Sequence, residues 1–373
     1  MHSRTFGVLL LAGVALVVYA VSGPFLSMYE PSVIVPGEGV TRTAMLSEYF
    51  PALAGSHGDT QVYVLEGAQP GGKVLVLGGV HADEPEGVLA AVILIERAVV
   101  EQGALFVIPF ANASAQTNNL PGEGVPQRFA IATPHGERVF TFGSRYTNPL
   151  HTWPDPEVYV HFPSGQRLSG EETRNLNRAF PGRPDGNLTE RIAHGIAELI
   201  RREGVDLAID LHTAMPEYPN INVIVAHERA MPVASMAQID LMIGGVNIAI
   251  SPSPVKYRGL SHRELGDHTA ALATLMEAPN IAIGRLRGRT TEATILEGKD
   301  PFYVWGARLG RLFVAFDEAG WPMEVRVGRH IAGVQALAGA LNLLRPDRAV
   351  RIRAPEYREI VEAGVGAFLN PLP

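Results

Sequence analysis

Apolar positions in this chain come in short blocks, and the blocks alternate between two spacings. Val74-Leu75-Val76-Leu77 is continuously apolar, the pattern of a strand buried on both faces. Residues 61–65, 104–110, 206–211, 222–226 and 271–276 read as further strands. Helical stripes lie between them. Residues 86–99 place Val88, Leu89, Val92, Ile93 and Leu94 on one face, with Glu96 and Arg97 polar. Asn187-Leu188-Thr189-Glu190 is a capped start for a helix to residue 202. Residues 231–250 read as a helix interrupted at Gly244-Gly245, and residues 328–344 as a last helix with Ile331, Val334, Leu337, Leu341 and Leu344 apolar. Strands that alternate with helices predict an α/β fold, a mixed, mostly parallel sheet with helices on both faces.

The pattern lapses elsewhere. Residues 24–60 are interrupted by proline and glycine and read as linker and lead-in. Residues 115–170 are irregular, and a loop of that length in a compact domain is usually functional. Residues 285–327, with Phe302, Tyr303, Trp305, Phe313, Phe316 and Trp321, are expected to form an insertion of β character over the site. Residues 346–373 mix charge with proline and read as a C-terminal tail.

The N-terminus has its own signature. Arg4 precedes an uncharged run from Phe6 to Val21, and the next charge is Glu30. This is the n-region and h-region of a secretory signal. Val18-Tyr19-Ala20 and Val21-Ser22-Gly23 offer small residues for cleavage. Extended to Met28, the run also suits an uncleaved anchor, a membrane tether through residues 5–28. Signal peptide and anchor, either with its linker over residues 1–29, both put the rest of the chain outside the cytoplasm, in a periplasmic or other extracytoplasmic space.

Composition narrows the class. The 373 residues are 46% hydrophobic and 18% charged, enough for one large α/β domain with a sizeable core. The net charge of −7, with no run of Lys or Arg in the body, argues against nucleic acid as a partner. The absence of cysteine excludes a disulfide framework, a thiolate metal site and a cysteine nucleophile.

The candidate chemistry starts at His81 and Glu84, three residues apart and just past the 74–77 strand. Open α/β sheets place their sites at that end. A neutral imidazole and a carboxylate are two of the three protein ligands typical of a catalytic zinc. His212 follows another apolar run and is the third candidate. Asp210, two residues earlier, shares its strand face and reads either as an orienting group or as a surface acid. Asp83 and Glu86 read as solvated loop acids, and His262 and His268 as structural histidines. Two more stretches stand out: Asn175-Leu176-Asn177-Arg178-Ala179-Phe180-Pro181-Gly182, and an apolar run that ends on Glu277.

The order HxxE, N-L-N-R-x-F-P-G, D-L-H and a late glutamate resembles the zinc carboxypeptidase superfamily. The nearest branch is the succinylglutamate desuccinylase/aspartoacylase group, over about residues 74–344. The resemblance implies a zinc hydrolase catalytic domain over residues 30–345, with one zinc per chain on His81, Glu84 and His212. It implies Glu277 as general base; Glu292 and Glu297 are rivals that lack the apolar run. Asn177 and Arg178 match the pair that grips a substrate carboxylate, a task suited to the planar guanidinium fork. A second arginine polarises the scissile carbonyl in that superfamily. The spacing departs here: Arg174 is the nearest candidate, with Arg145 and Arg167 as alternatives. Tyr257 is the candidate for a late specificity residue.

The function so implied is zinc-dependent cleavage of an amide bond next to a free carboxylate, on an N-acyl amino acid. An exported metallocarboxypeptidase acting on peptides or cell-wall peptides is the rival. A non-catalytic, membrane-tethered binding module is the third reading, and the complete set of ligands and base argues against it. The partner is a small molecule or peptide with a free carboxylate; the sequence carries no signal of oligomeric state.

Overall fold

The computed structural model describes residues 2–27, 29–119 and 125–373, so Met28 of the expected tether and residues 120–124 of the long loop lie outside the described residues. In chain order the main elements are α1 (His2–Ser27), β1 (Arg42–Met45), β2 (Gln61–Glu66), β3 (Gln69–Leu77), α2 (Pro85–Arg97), β4 (Val99–Ile108), α3 (Leu188–Glu203) and β5 (Leu207–Ala214). They continue with β6 (Val223–Ala226), α4 (Met231–Ile243), β7 (Ala249–Pro252), α5 (Ser261–His268), β8 (Leu272–Pro279), α6 (Met323–Leu344), β9 (Arg351–Arg353) and α7 (Tyr357–Ala363).

The main sheet has the order β1-β2-β4-β3-β5-β8-β6-β7, and β9 also pairs with β4. Its central run, β4-β3-β5-β8, is parallel throughout. The flanking strands β2, β6 and β9 join it antiparallel. Alternation along β3 divides the core. Val74 and Val76 face α2, α4 and α6, while Leu75 and Leu77 face α3 and α5. Both faces are therefore covered, as a buried parallel run requires. The helix ends follow local chemistry. The Asn187 side chain accepts from Glu190 N while the Glu190 carboxylate accepts from Asn187 N, and α3 stops at Gly204, whose φ is +63°.

Two expectations are corrected. The 231–250 helix ends at Ile243, and residues 249–252 form β7, because Gly244 and Gly245 release the chain into an edge strand. The 285–327 insertion is helical rather than β, with short helices Glu292–Glu297 and Pro301–Arg308. Thr291 and Asp300 cap those helices by accepting from backbone amides. Residues 346–373 pack as an extension of the domain. Val350, Ile360, Val365 and Leu369 are buried in the same core as α2 and α6.

α1 stands apart. Arg4–Ser27 is long and apolar enough to cross a membrane, and its window contributes nothing to the core. Twenty-four helical residues extend about 36 Å at 1.5 Å per residue.

Candidate active site

The site lies at the C-terminal ends of the parallel strands. β3 ends at Leu77, and Gly79, with φ +65°, turns the chain so that His81 and Glu84 follow within one tight loop. Pro85 then starts α2. Gly87 lies against β5, where a Cβ would collide with the Leu211 carbonyl oxygen. This close approach brings the HxxE turn onto the strand that carries His212. In the β5–β8 register His212 stands beside Glu277.

His81, Glu84 and His212 are all buried, and each offers a ligating atom within 4.8 Å of the other two. His81 Nδ1 lies 2.8 Å from Glu84 Oε1, and His212 Nδ1 lies 3.0 Å from Glu84 Oε2. The far nitrogens are also engaged. His81 Nε2 is 2.9 Å from Asn175 Oδ1, and His212 Nε2 is 2.8 Å from Asp210 Oδ2. Asn175 donates its Nδ2 to Glu172 at 2.7 Å, which fixes its amide orientation and leaves oxygen facing His81.

That arrangement tests the fit of a metal. Burial, with Arg145 adding, pushes the His81 imidazole down to about 3, so it is neutral and has one N–H. It nevertheless faces an oxygen acceptor at each nitrogen. With the hydrogen on Nε2 toward Asn175, the Nδ1 lone pair points at a carboxylate. A cation among the two Nδ1 atoms and Glu84 resolves this conflict, and the outer acceptors then orient both rings. At His212, burial opposes the charged ring, but Asp210 and Glu84 outweigh it and push the imidazole well above its usual range. Glu84 is held well below its usual range by the two histidines, against the effect of burial. Two nitrogens and one carboxylate suit zinc.

Glu277 stands within β8, which continues two residues beyond it, rather than at the strand's end. Its Oε2 is sealed from solvent with no hydrogen-bond partner among the described residues. Burial, with Glu84 and Asp210 adding, pushes its carboxyl up to about 8, against the pull of His212 and Arg145. Its rivals are occupied elsewhere. Glu292 accepts from Ala130 N at 2.6 Å, and Glu297 pairs with Lys299 at 3.4 Å.

The arginines separate. Arg174 is spent in a two-pronged pair with Asp155, at 2.7 and 2.9 Å, which corrects its expected place at the reacting carbonyl. Arg145 reaches the site instead, with Nη1 3.4 Å from Glu84 Oε1. Arg167 lies exposed on the Arg167–Ser169 strand. Arg178 donates to the Asn177 carbonyl at 2.7 Å and is 3.9 Å from Glu172. Burial, then the like charge of Arg145, lowers its guanidinium pKa. Two cations close enough to feel each other's charge could pair with an anion. Asn177 Oδ1 accepts from Ser261 N at 2.9 Å, so that side chain also ties the loop to α5.

Tyr257 is 64% exposed on its turn. Glu86 is fully buried and ion-paired with Arg326, and it accepts from Asn280, so it is not a solvated loop acid. Asp83 is also not freely solvated: its Oδ1 is sealed, and burial, with Glu84 adding, pushes its carboxyl up to about 7. Asp210 is an orienting group, bonded to both His212 and the Ser261 hydroxyl. His262 bonds to Ser253 at 2.7 Å, and His268 pairs with Glu264 at 3.2 Å. Asn175, inside the motif, was the residue whose role sequence missed; only the fold brings it to His81.

Residues 159–253 match the model of the succinylglutamate desuccinylase/aspartoacylase catalytic domain. That segment holds Asn177, Arg178, Asp210 and His212, and the resemblance to that branch stands on it together with the motif order. The N-alpha-acetyl-L-2,4-diaminobutyric acid deacetylase of Halomonas elongata is 28% identical over 145 residues, 38% of this chain and 29% of the relative. The chain thus spans under a third of that curated relative's length. Among solved structures, the product-bound ectoine utilization protein EutE (DoeB) of Ruegeria pomeroyi aligns at 21% identity and TM-score 0.34, covering 59% of this chain and 53% of the other. A metallo-carboxypeptidase of Burkholderia cenocepacia aligns at 11% identity and TM-score 0.44, covering 80% and 68%.

Proposed function

We propose that this chain is a zinc-dependent amide hydrolase, outside the cytoplasm, whose substrate carries a free carboxylate beside the scissile bond. One observation carries the reading: both Nδ1 atoms and the Glu84 carboxylate converge while acceptors hold the opposite ring nitrogens. Zinc bound to His81, Glu84 and His212 supplies Lewis acidity, which acidifies water and polarises a carbonyl. Glu277 takes the proton from the attacking water and returns it to the leaving amine, the work of a general acid–base with a raised pKa. Arg145 stabilises negative charge as it grows on the carbonyl oxygen. Arg178 holds the substrate carboxylate, with Asn177 fixing the loop that presents it. Asp210 and Asn175 keep both imidazoles in the tautomer that leaves Nδ1 free.

The substrate class is an N-acyl amino acid, the class to which the deacetylase's acetylated diamino acid belongs. A peptide C-terminus is the second reading. The apolar α1 favours it, because exported enzymes meet peptides rather than catabolic intermediates.

Metal analysis tests the centre. Purified protein should hold about one zinc, and His81→Ala or His212→Ala should lose it. Full amidase activity after verified metal removal sinks the zinc reading. A matched panel of N-acyl amino acids and peptides then separates the two substrate classes by kcat/KM.

A further inference from the structure

Residues 301–313 hold an outward apolar face on an otherwise well-secured segment. Phe302, Trp305, Leu309 and Phe313 are 51%, 59%, 55% and 62% exposed. The inner side is not loose. Tyr303 and Phe316 are buried together with Ile281, the Tyr303 hydroxyl donates to Glu217 at 2.7 Å, and Phe313 N donates to Pro216 O at 2.8 Å. Pro216 and Glu217 lie two and three residues past the strand that carries His212, so this segment stands on the rim of the site. Exposed aromatic and leucine side chains gathered on a fixed support suit a contact surface.

Its charge indicates the partner. Residues 285–311 contain six Lys or Arg against three Asp or Glu, in a chain whose net charge is −7. Glu297 and Glu318 pair with Lys299 and Arg308. Arg285, Arg289 and Arg311 are exposed and have no ion pair among the described residues. Aromatic and leucine side chains flanked by arginine suit the boundary between acyl chains and anionic headgroups.

The exit of α1 lies on the same side. Arg128 donates to Ser27 O at the end of α1 and pairs with Glu30. Arg128 is in register with Thr141, and Gly143 N, two residues on, donates to Ala82 O in the HxxE turn. Ala130, on the Arg128 strand, donates its amide to Glu292 at 2.6 Å, just upstream of the aromatic segment. The end of α1, the rim segment and the metal ligands thus share one end of the molecule.

We propose that residues 301–313 form a second membrane contact, lying in the headgroup region of the anionic bilayer that α1 anchors, so that the active site faces the membrane surface. The inference rests on α1 being a retained anchor rather than a cleaved signal. The absence of cysteine allows unique labelling. Full chains with Leu309→Cys, Leu16→Cys or Gln69→Cys carry an environment-sensitive dye and are reconstituted into phosphatidylcholine vesicles containing phosphatidylglycerol. Leu16 lies in α1, and Gln69 lies at the opposite end of the sheet.

The expected result is a blue shift and quenching by nitroxide lipid at 16 and 309, and neither at 69. Adding Trp305→Glu and Phe313→Glu, both at exposed positions, should return the 309 label to water while zinc content and the signal at 16 persist. A 309 label in water with 16 in the bilayer overturns the contact and leaves the anchor standing. Labels at 16 and 309 both in water overturn the anchor and this inference with it. A 309 label shielded from water yet unquenched by lipid, with a signal that grows with protein density, means a second copy covers the face and also overturns it.

Discussion

Glu277 and Arg178 separate chemistry from recognition at the residue scale. Glu277→Gln keeps the strand and the metal ligands but cannot carry a proton. Turnover should fall by on the order of 10²-fold or more, with zinc retained. Near-normal turnover would remove Glu277 from the mechanism, and Glu292 cannot replace it while its carboxylate serves the Ala130 amide. For Arg178, matched free-acid and amide substrates give the measurement. Wild type should prefer the acid by about two to three decades in kcat/KM, the scale of leaving a desolvated charge unpaired. Arg178→Ala should lose most of that preference, and Arg178→Lys should not restore it, because an ammonium cannot reproduce the fork. Equal treatment of both substrates by wild type would make Arg178 structural. His81, Glu84, His212 and Glu277, which the fold brings together, stood out in sequence because each follows or sits in an apolar strand run. Arg145 was not separable from Arg174, since only the folded path of residues 115–170 shows that Asp155 claims one and Glu84 meets the other.

Elements were readable where one period dominated, as in β3, α2 and α3. They were misread where two elements shared an apolar stretch, as at 231–250, or where aromatic content suggested strands, as at 285–327. What no pattern showed is how α2 is held. The Glu86 carboxylate in its first turn pairs with Arg326 of α6, both fully buried, and Asn280 links Glu86 to Thr213 at 3.2 Å. Thr213 in turn donates its amide to Glu84 at 2.8 Å. The chain of contacts ties the His81–Glu84 turn to α6. Glu86→Gln strands a buried guanidinium and should cost about 3–5 kcal/mol by denaturant unfolding. Combining it with Arg326→Met should recover much of that loss. A strictly additive double mutant would show that the two residues act independently.

At the scale of the whole molecule, buried histidines contribute to acid sensitivity. His262 and His330 are both pushed down to about 3, first by burial and then by the nearby His212. The unfolded chain accepts a proton at each near pH 6.5, whereas the folded chain refuses it until about 3. Stability is therefore intact above 6.5 and declines as the pH falls through that window, by about 1.4 kcal/mol per pH unit for each group. Neither ring nitrogen of His330 has a hydrogen-bond partner among the described residues. His330→Leu should raise the melting temperature and flatten its fall between pH 6.5 and 4; an unchanged slope would assign the acid sensitivity elsewhere. A different consequence attaches to Gly87, whose backbone rests on Leu211 with no side chain between. The spacing of the His81–Glu84 turn from His212 is set there by main chain against main chain, a contact that drift in side-chain volume does not reach. The long loops around the mouth are under no such restriction. A side chain added at residue 87 would push the His81–Glu84 turn away from His212, whereas changes in the rim loops leave that spacing untouched.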